Sequence, residues 1–347
     1  MLPTIDYLEY AIRHFGKTPF DLASSGAPPV QASELGYEAA DDPEARQRFL
    51  WAIAGRYQVP VEALVPALGA SGALFAVCQG LLKPGDCVAV EEPGYEPLWR
   101  IPEALGARVV RFPRGEDVGA MLDHLGVEPR LVIVSNPHNP TAAVLSDEQL
   151  VAFANGLEGR YLLVDEVYRE LAMPVSTAFG KAPNLITVSS TTKCLGVPWA
   201  RAGWIAAPGE LVSAFRRSEL FSVGNAPPGC FAWGAAAVEQ ATWLLERVTK
   251  LQRGKRALVD TWTASQQGWL TAHPGFEQSL FVWLERRDGA NLMPWLETLR
   301  DEAGITISPG QFFGAPQGMR LSFTLVEDAL VEALGLLGER APSASAG

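Results

Sequence analysis

Short runs of β-branched and other apolar residues, separated by segments with helical spacing, constrain the fold of this 347-residue chain most strongly. Segments 72–82 and 146–157 have helical spacing, and Ser146 and Gln149 match a capping box at the start of the second. Strands that alternate with helices build a largely parallel sheet covered by helices on both faces. We therefore predict an α/β fold whose sheet contains the apolar runs at 86–90, 107–112, 131–135, 161–165 and 186–190.

The pattern changes after Phe231, where one long helical segment is predicted over 233–262. Three predicted strands and two helical segments follow it, which is typical of a smaller α+β domain. The strands are expected at 281–285, 305–309 and 319–323. We place the large domain at 45–245, the small domain at 1–44 and 246–340, and a flexible tail at 341–347.

Charge and cysteine usage exclude several classes of function. The formal net charge is −11 and no run of Lys or Arg stands out, so neither nucleic acid nor a membrane surface is an expected partner. The four cysteines lack CxxC spacing, which favours reduced thiols and no metal site. No signal peptide and no apolar run of about 20 residues are visible, so we expect a cytoplasmic protein.

Polar residues follow several predicted strands, and the carboxyl ends of parallel strands are where sites form in such sheets. Asn136 and Asn139 each precede a proline, which stiffens the loop that carries them. A rigid turn with no binding role explains these two asparagines equally well. Asp165 ends an apolar strand, and a carboxylate there requires either a structural salt bridge or a bound cation.

Two further segments reach the same edge of the predicted sheet. Lys193 follows the strand at 186–190, and Arg201 comes eight residues later. A lysine amine becomes nucleophilic when burial or a nearby cation lowers its pKa, although a solvated surface lysine is the usual case. Ala70 and Ser71 lie where a loop turns into a helix, and the first N–H groups of a helix suit a phosphate. An imine-forming lysine, a carboxylate for a ring nitrogen and a phosphate cradle are together what pyridoxal phosphate requires.

Seven motifs, in order along the chain, resemble those of the fold-type I pyridoxal-phosphate enzymes, class I/II aminotransferases of the aspartate aminotransferase superfamily. The resemblance implies the fold of that superfamily, with a large domain around a mostly parallel sheet and a smaller α+β domain. The motifs are GASGAL (69–74), PGDCVAVEEPGY (84–95), SNPHNPT (135–141), DEVY (165–168), SSTTK (189–193) with Arg201, SPGQFFG (308–314) and MRLSF (319–323).

The resemblance implies a role for each matching residue. Lys193 would carry the cofactor covalently and move a proton between the substrate Cα and the cofactor. Asp165 would pair with the ring nitrogen, Asn139 and Tyr168 would bind the 3-oxygen, and Tyr95 would stack on the ring. The residues implied to grip the phosphate are Ala70, Ser71, Ser190 and Arg201.

The resemblance also implies how substrate and partner subunit are bound. Arg320 would make a bidentate contact with the substrate α-carboxylate, beside Asn139. The backbone of Gly26 would line the carboxylate side of the substrate pocket. Tyr37 resembles a tyrosine that reaches the phosphate of the partner subunit, which implies a homodimer with shared active sites. The aromatic side chains Trp199, Phe312 and Phe313 hint at apolar or aromatic substrates.

The activity implied is transfer of an amino group between an α-amino acid and a 2-oxo acid by a ping-pong cycle. The same residues also serve decarboxylases, lyases and cyclising enzymes, which differ in the Cα bond that is broken. A non-catalytic sensor built on this fold is a third possibility, although Lys193 is retained and no DNA-binding segment is visible.

Overall fold

The computed structural model describes residues 2–36, 42–125, 129–266 and 268–342. Its strands are β1 (Phe20–Leu22), β2 (Leu64–Leu68), β3 (Cys87–Glu92), β4 (Arg108–Pro113), β5 (Leu131–Ser135), β6 (Tyr161–Asp165), β7 (Leu185–Ser190), β8 (Ala202–Ala206), β9 (Leu270–His273), β10 (Phe281–Arg286), β11 (Ile305–Pro309) and β12 (Gly318–Ser322).

The α-helices of the same residues are α1 (Asp6–His14), α2 (Ala45–Tyr57), α3 (Gly69–Leu81), α4 (Pro97–Ala104), α5 (Val118–His124), α6 (Asp147–Gly156), α7 (Arg169–Ala172), α8 (Gly209–Ser222), α9 (Pro228–Glu239), α10 (Ala241–Gln252), α11 (Lys255–Ser265), α12 (Met293–Ala303) and α13 (Glu327–Glu339). The predicted capping box at the start of α6 is confirmed, with Ser146 and Gln149 bonded reciprocally.

Seven strands form the larger sheet, in the order β2-β8-β7-β6-β5-β3-β4. All its strand pairs are parallel except the two made by β8, which is antiparallel to both β2 and β7. Ser190 therefore pairs with Gly203, and Leu68 pairs with Ala202. The start of β8 consequently lies at the same edge of the sheet as the carboxyl ends of the parallel strands.

Both faces of this sheet are buried under helices, as a run of continuous apolar residues predicts. Every residue of β5 is buried, and its side chains alternate between two hydrophobic clusters. Leu131 and Ile133 pack with residues of α3, α4 and α8, whereas Val132 and Val134 pack with residues of α5 and α6. The predicted α/β class with a mostly parallel sheet is confirmed.

A five-stranded sheet, ordered β1-β11-β12-β10-β9, is the smaller one. Its pairs are antiparallel apart from β1 with β11, and α11, α12 and α13 supply the apolar residues that pack with it. The short strand β1 thus brings the N-terminal part of the chain to the C-terminal sheet. The division into a large domain at 45–245 and a small domain at 1–44 and 246–340 stays a prediction.

The prediction of one long helix over 233–262 is wrong. The structure has three helices there, α9, α10 and α11. The helical conformation is interrupted at Gln240 and at Gly254, whose φ is +81°. Only glycine adopts that backbone conformation without cost, so Gly254 ends the helical run. The strands β1, β2, β8 and β9 were not expected from the sequence. In the described ranges no helix is both long and apolar enough to cross a membrane.

Candidate active site

The strand ends of the larger sheet open into one cavity of about 530 Å³. Strands β5, β6 and β7 end at this edge and β8 begins there, so residues distant in sequence meet. In open α/β sheets this edge is where ligands bind. Nine of the residues predicted from the sequence line the cavity: Ala70, Ser71, Tyr95, Asn139, Asp165, Tyr168, Ser190, Lys193 and Arg201.

Lys193 lies three residues beyond the end of β7, and its Nζ is 3.4 Å from Ser25 Oγ. Burial and the charge of Arg320 lower the pKa of its amine to about 8, with Arg201 acting in the same direction and Asp165 opposing. A larger fraction of the amine is therefore neutral at physiological pH than for an exposed lysine. A neutral amine is the form that attacks a carbonyl, so the structure favours the functional interpretation of Lys193 over a solvated one.

Asp165, the last residue of β6, is 7% exposed. Its Oδ1 accepts a hydrogen bond from the backbone N–H of Val167 at 3.1 Å. Burial nevertheless raises the pKa of the carboxyl to about 7, while the Val167 bond and the charge of Lys193 oppose that rise. No ion pair to Asp165 is formed within the described ranges. The carboxylate is thus placed to gain from a bound cation.

The start of α3 and the guanidinium of Arg201 form one corner of the cavity. Gly69 has φ +69°, which strains any residue with a side chain, and a Cβ on it would lie 2.6 Å from Arg201 Nη2 and displace the guanidinium. Arg201 itself adopts φ +54°, a left-handed conformation that is costly for a side chain and is often found at functional sites. Free N–H groups at a helix start and a guanidinium together suit a phosphate.

Arg320, on β12, is completely buried. Its Nη1 donates to Asn139 Oδ1 at 2.7 Å, and its Nη2 donates to Tyr7 OH at 2.8 Å, to Ala23 O at 3.0 Å and to Ser308 Oγ at 3.1 Å. Its Nε has no hydrogen-bond partner among the described residues. A buried guanidinium with an unused N–H is suited to a planar anion such as a carboxylate.

Sequence reasoning missed the contribution of α1, which places Tyr7, Leu8 and Ile12 in the cavity wall. The backbone N–H of Tyr7 donates to Glu96 Oε2 at 2.6 Å, and its ring meets that of Tyr95 edge-on at 5.3 Å. These contacts hold α1 over the cavity. The sequence signal was weak, because an amphipathic helix with two buried tyrosines indicates packing without saying against what.

The SNPHNPT loop has both structural and site-facing members. Asn136 turns away from the cavity, and its side chain bonds both the N–H and the carbonyl of Leu145, at 2.8 and 2.9 Å. His138 is completely buried, with its ring nitrogens against Thr141 Oγ1 and Pro93 O. Burial holds the pKa of His138 well below its usual range, so it stays neutral. Asn136 and His138 fix the loop, whereas Ser135 and Asn139 line the cavity.

Tyr168 directs its hydroxyl into the site, where it donates to Ser25 Oγ at 2.7 Å. Ser25 Oγ therefore lies between Tyr168 and Lys193 Nζ. Gly26 lies beside the lysine, since a Cβ on it would be 3.7 Å from Lys193 Cδ. The backbone carbonyl that reaches Arg320 belongs to Ala23, so the role of Gly26 towards a carboxylate stays a prediction.

Two sequence expectations fall outside this geometry. Tyr37 lies outside the described residues, as do residues 343–347 of the predicted tail. Trp199 is not among the residues that line the cavity, because its ring packs edge-on against Trp233 at 5.0 Å. Phe312 and Phe313 are not lining residues of this cavity either, although Phe313 contacts the ring of Tyr7 at 5.5 Å. The use of these three aromatic residues as a hint to the substrate stays a prediction.

The chain matches the model of the family "aminotransferase class I and II" over residues 36–335. It belongs to that family. It is 30% identical to an arginine–pyruvate transaminase of Pseudomonas aeruginosa, over 79% of this chain and 74% of the relative. It is 28% identical to a valine–pyruvate aminotransferase of Mycobacterium tuberculosis, over 92% of this chain and 89% of the relative.

A solved pyridoxal-phosphate-dependent aminotransferase from Streptococcus suis has the same fold, with a TM-score of 0.85 and 24% identity over 98% of this chain and 97% of the other. The protein is accordingly a pyridoxal-phosphate-dependent aminotransferase, which transfers an amino group between an α-amino acid and a 2-oxo acid by a ping-pong mechanism. The alternatives of a decarboxylase, a lyase, a cyclising enzyme or a non-catalytic sensor are not favoured.

The residues present fit this cofactor. A cavity of about 530 Å³ joins an amine of lowered pKa, a buried carboxylate that has no ion partner among the described residues, and a glycine-dependent corner that suits a phosphate. Each of these groups would gain a partner on binding.

Proposed function

We propose that the cavity around Lys193 is the active site and that Lys193 carries the cofactor. The observation that supports this most directly is the meeting of Lys193, Asp165 and Arg201 in one cavity, although they follow or precede three different strands. When bound, pyridoxal phosphate supplies an electron sink for the charge that develops at the substrate Cα.

The chain's own groups do the remaining work. Lys193 Nζ, with its pKa of about 8, is a base able to take the proton from the substrate Cα and to hold it for return. The Asp165 carboxylate binds the cationic ring nitrogen, and that pairing lowers the pKa of Asp165 from its raised value of about 7. Tyr168 and Asn139, which line the same cavity, would hold the ring through its 3-oxygen, and Tyr95 would stack on it.

Arg320 orients the substrate by its α-carboxylate. Its neighbours Asn139 and Tyr7 already fix both terminal nitrogens of the guanidinium, so little ordering remains to be done on binding. A bidentate contact fixes the plane of the carboxylate and with it the direction of the other Cα bonds.

The substrate side chain is proposed to be apolar or aromatic. Leu8 and Ile12 of α1 and Leu74 of α3 give the cavity an apolar part of its lining, and the described lining residues include no cation besides Lys193 and Arg201. Both of these cations already have partners in the cofactor, so no charge is left for an acidic side chain. Pyruvate is the acceptor in the names of both relatives and is the first 2-oxo acid to test.

A homodimer in the cytoplasm is proposed as the working form. Apolar side chains are exposed on two helices that Arg46 and Glu219 join at 3.0 Å: Trp51 of α2 is 58% exposed and Phe221 of α8 is 86% exposed. Exposed aromatic residues of this kind favour burial in a subunit interface. The proposed contribution of Tyr37 to the partner's phosphate site depends on the same interface, and sedimentation at several concentrations tests it.

Borohydride reduction followed by peptide mapping tests the central assignment. The cofactor should be found on Lys193, and Lys193→Ala should lower turnover by about 10²–10⁴-fold or more. Lys181→Ala is the matched control, because Lys181 is surface-exposed and pairs with Asp147 at 2.9 Å. Label on another lysine, or full activity of the Lys193 variant, would overturn the proposal.

The reaction type is checked with the same preparation. An amino donor should convert the absorption band of the bound cofactor to that of the pyridoxamine form, and pyruvate should restore it. Release of carbon dioxide or ammonia without this change would point to a lyase or decarboxylase.

A further inference from the structure

A buried carboxylate on β3, Glu91, has no place among the roles assigned above. Its side chain is completely buried. Removing a carboxylate from water is costly unless a cation and hydrogen bonds compensate. The cation is Arg114, whose Nη1 lies 2.9 Å from Glu91 Oε2 and whose side chain is 4% exposed. This ion pair uses only one of the two carboxylate oxygens.

The other oxygen of Glu91 points towards the active site. Glu91 Oε1 accepts from the backbone N–H of Ser135 at 2.6 Å and from the Ser135 hydroxyl at 2.7 Å. Because the hydroxyl donates its only hydrogen to Glu91, its oxygen is left to accept. The backbone N–H of Asn139 donates to it at 3.0 Å. Backbone N–H groups can only donate, so the Ser135 hydroxyl is the one group here whose orientation is set by its neighbours: it donates to Glu91 and accepts from Asn139.

Asn139 is the residue through which these hydrogen bonds from Glu91 and Ser135 reach the cavity. Its backbone is tied to Ser135, while its side-chain Oδ1 accepts from Arg320 Nη1 at 2.7 Å. A shift of the backbone at 139 moves the amide relative to both Arg320 and the cavity. Displacing a catalytic group by about 1 Å can cost about 10²-fold in rate, so such a tether has functional weight.

We propose that Glu91 and Ser135 are positioning residues, which hold the Asn139 amide where it meets both Arg320 and the cofactor. This inference rests on the proposed function of the cavity. The competing explanation is that the same bonds only stabilise the loop, and kinetics separates the two.

Ser135→Ala removes the acceptor for Asn139 while leaving the Glu91–Arg114 pair intact. The KM for the amino donor should rise about tenfold, the value of one well-placed hydrogen bond, with a smaller change in kcat. The visible band of the bound cofactor should titrate at higher pH, because a weaker bond from Asn139 disperses less charge from the 3-oxygen. Ser135→Thr keeps the hydroxyl and should restore both values.

Thr141→Val is the matched control in the same loop. It removes a buried hydroxyl that bonds His138 Nδ1 at 2.6 Å and Ala143 N at 3.3 Å, without touching Asn139. It should lower the melting temperature while leaving KM and the band titration within about twofold of wild type. Glu91→Gln keeps an acceptor for Ser135, so it should raise KM less than Ser135→Ala does. When it is added to Ser135→Ala, the double variant should have the same KM as Ser135→Ala alone.

Unchanged KM and unchanged band titration in Ser135→Ala would overturn the proposal. Equal changes in Ser135→Ala and Thr141→Val would overturn it as well, because general loosening of the loop would then explain both. Borohydride labelling of Lys193 is measured on every variant. Absence of label in the wild type refutes the proposed site itself, whereas a labelled variant with wild-type KM refutes only the positioning role.

Discussion

Replacing Arg320 by lysine keeps the positive charge but removes the planar guanidinium, whose parallel N–H groups can bind both oxygens of a carboxylate. In the structure the guanidinium makes four hydrogen bonds, and its Nε is still unused. A carboxylate can receive two parallel bonds from such a group, whereas an ammonium offers a single point of contact. The expected result is a selective loss of activity towards substrates that carry an α-carboxylate.

The magnitude follows from one lost charge-assisted hydrogen bond. Such a bond is worth about 1.5–3 kcal/mol, which corresponds to a decrease of about 10- to 150-fold in kcat/KM for the amino acid. Lysine is also shorter, so acceptors such as Asn139 Oδ1 and Tyr7 OH lose their donor. That loss should lower the free energy of unfolding by about 1–3 kcal/mol, independently of the substrate.

The assay compares two donors that differ only in the carboxylate, phenylalanine and phenethylamine, by single-turnover change of the cofactor band. Arg320→Lys should slow the reaction of the amino acid by the factor above. The reaction of the amine, which is already slow, should stay within about threefold of its wild-type rate. Arg100→Lys is the control, since Arg100 makes only partly exposed ion pairs with Glu96 and Glu103. An equal decrease with both donors would contradict the assignment of Arg320 to the carboxylate.

Three further predictions concern Asp165, Tyr7 and Lys193. Burial raises the pKa of Asp165 to about 7 from 3.8, so the folded cofactor-free protein binds more protons than the unfolded one between these values and loses stability as pH rises through them. Asp165→Asn should therefore stabilise the cofactor-free protein more near pH 8 than near pH 5 in urea unfolding, and equal effects would refute this. Tyr7→Phe removes an acceptor of Arg320 and should raise the KM for amino donors about 2- to 12-fold in steady-state assays; an unchanged KM would show that the bond is not used. Because the pKa of Lys193 is about 8 rather than 10.5, cofactor capture should accelerate as pH rises through about 8 and then level off, and a rise centred above about pH 10 would contradict this.

Much of the site was predictable because its residues follow strands that the sequence marks clearly. Apolar runs end at Ser135, Asp165 and Ser190, and each of these residues lines the cavity. The position of Arg201 was predictable only through the family resemblance. Nothing in residues 202–206 indicates that β8 runs antiparallel, since a buried strand has the same composition in either direction.

The parts that could not be predicted depend on contacts between distant segments. Tyr7 reaches Arg320 across 313 positions of sequence, and no motif around either residue indicates that contact. Glu91 is a conspicuous acid at the end of an apolar strand, yet its partners Arg114 and Ser135 become visible only in three dimensions. Composition and spacing describe local structure well, but such long-range pairs are decided by tertiary packing.

The number of residues in the segment from Lys193 to Arg201 is constrained by the site. It leaves the sheet at β7 and returns at the neighbouring β8, with Ser190 opposite Gly203. Its length therefore sets the spacing between Lys193, the proposed attachment point of the cofactor, and Arg201, the proposed phosphate ligand. Most surface loops tolerate added or deleted residues. Insertion or deletion of one residue here would change the distance between Lys193 and Arg201, the two groups proposed to bind a rigid cofactor. Engineering of this enzyme should therefore vary the composition of that segment while keeping its residue count constant.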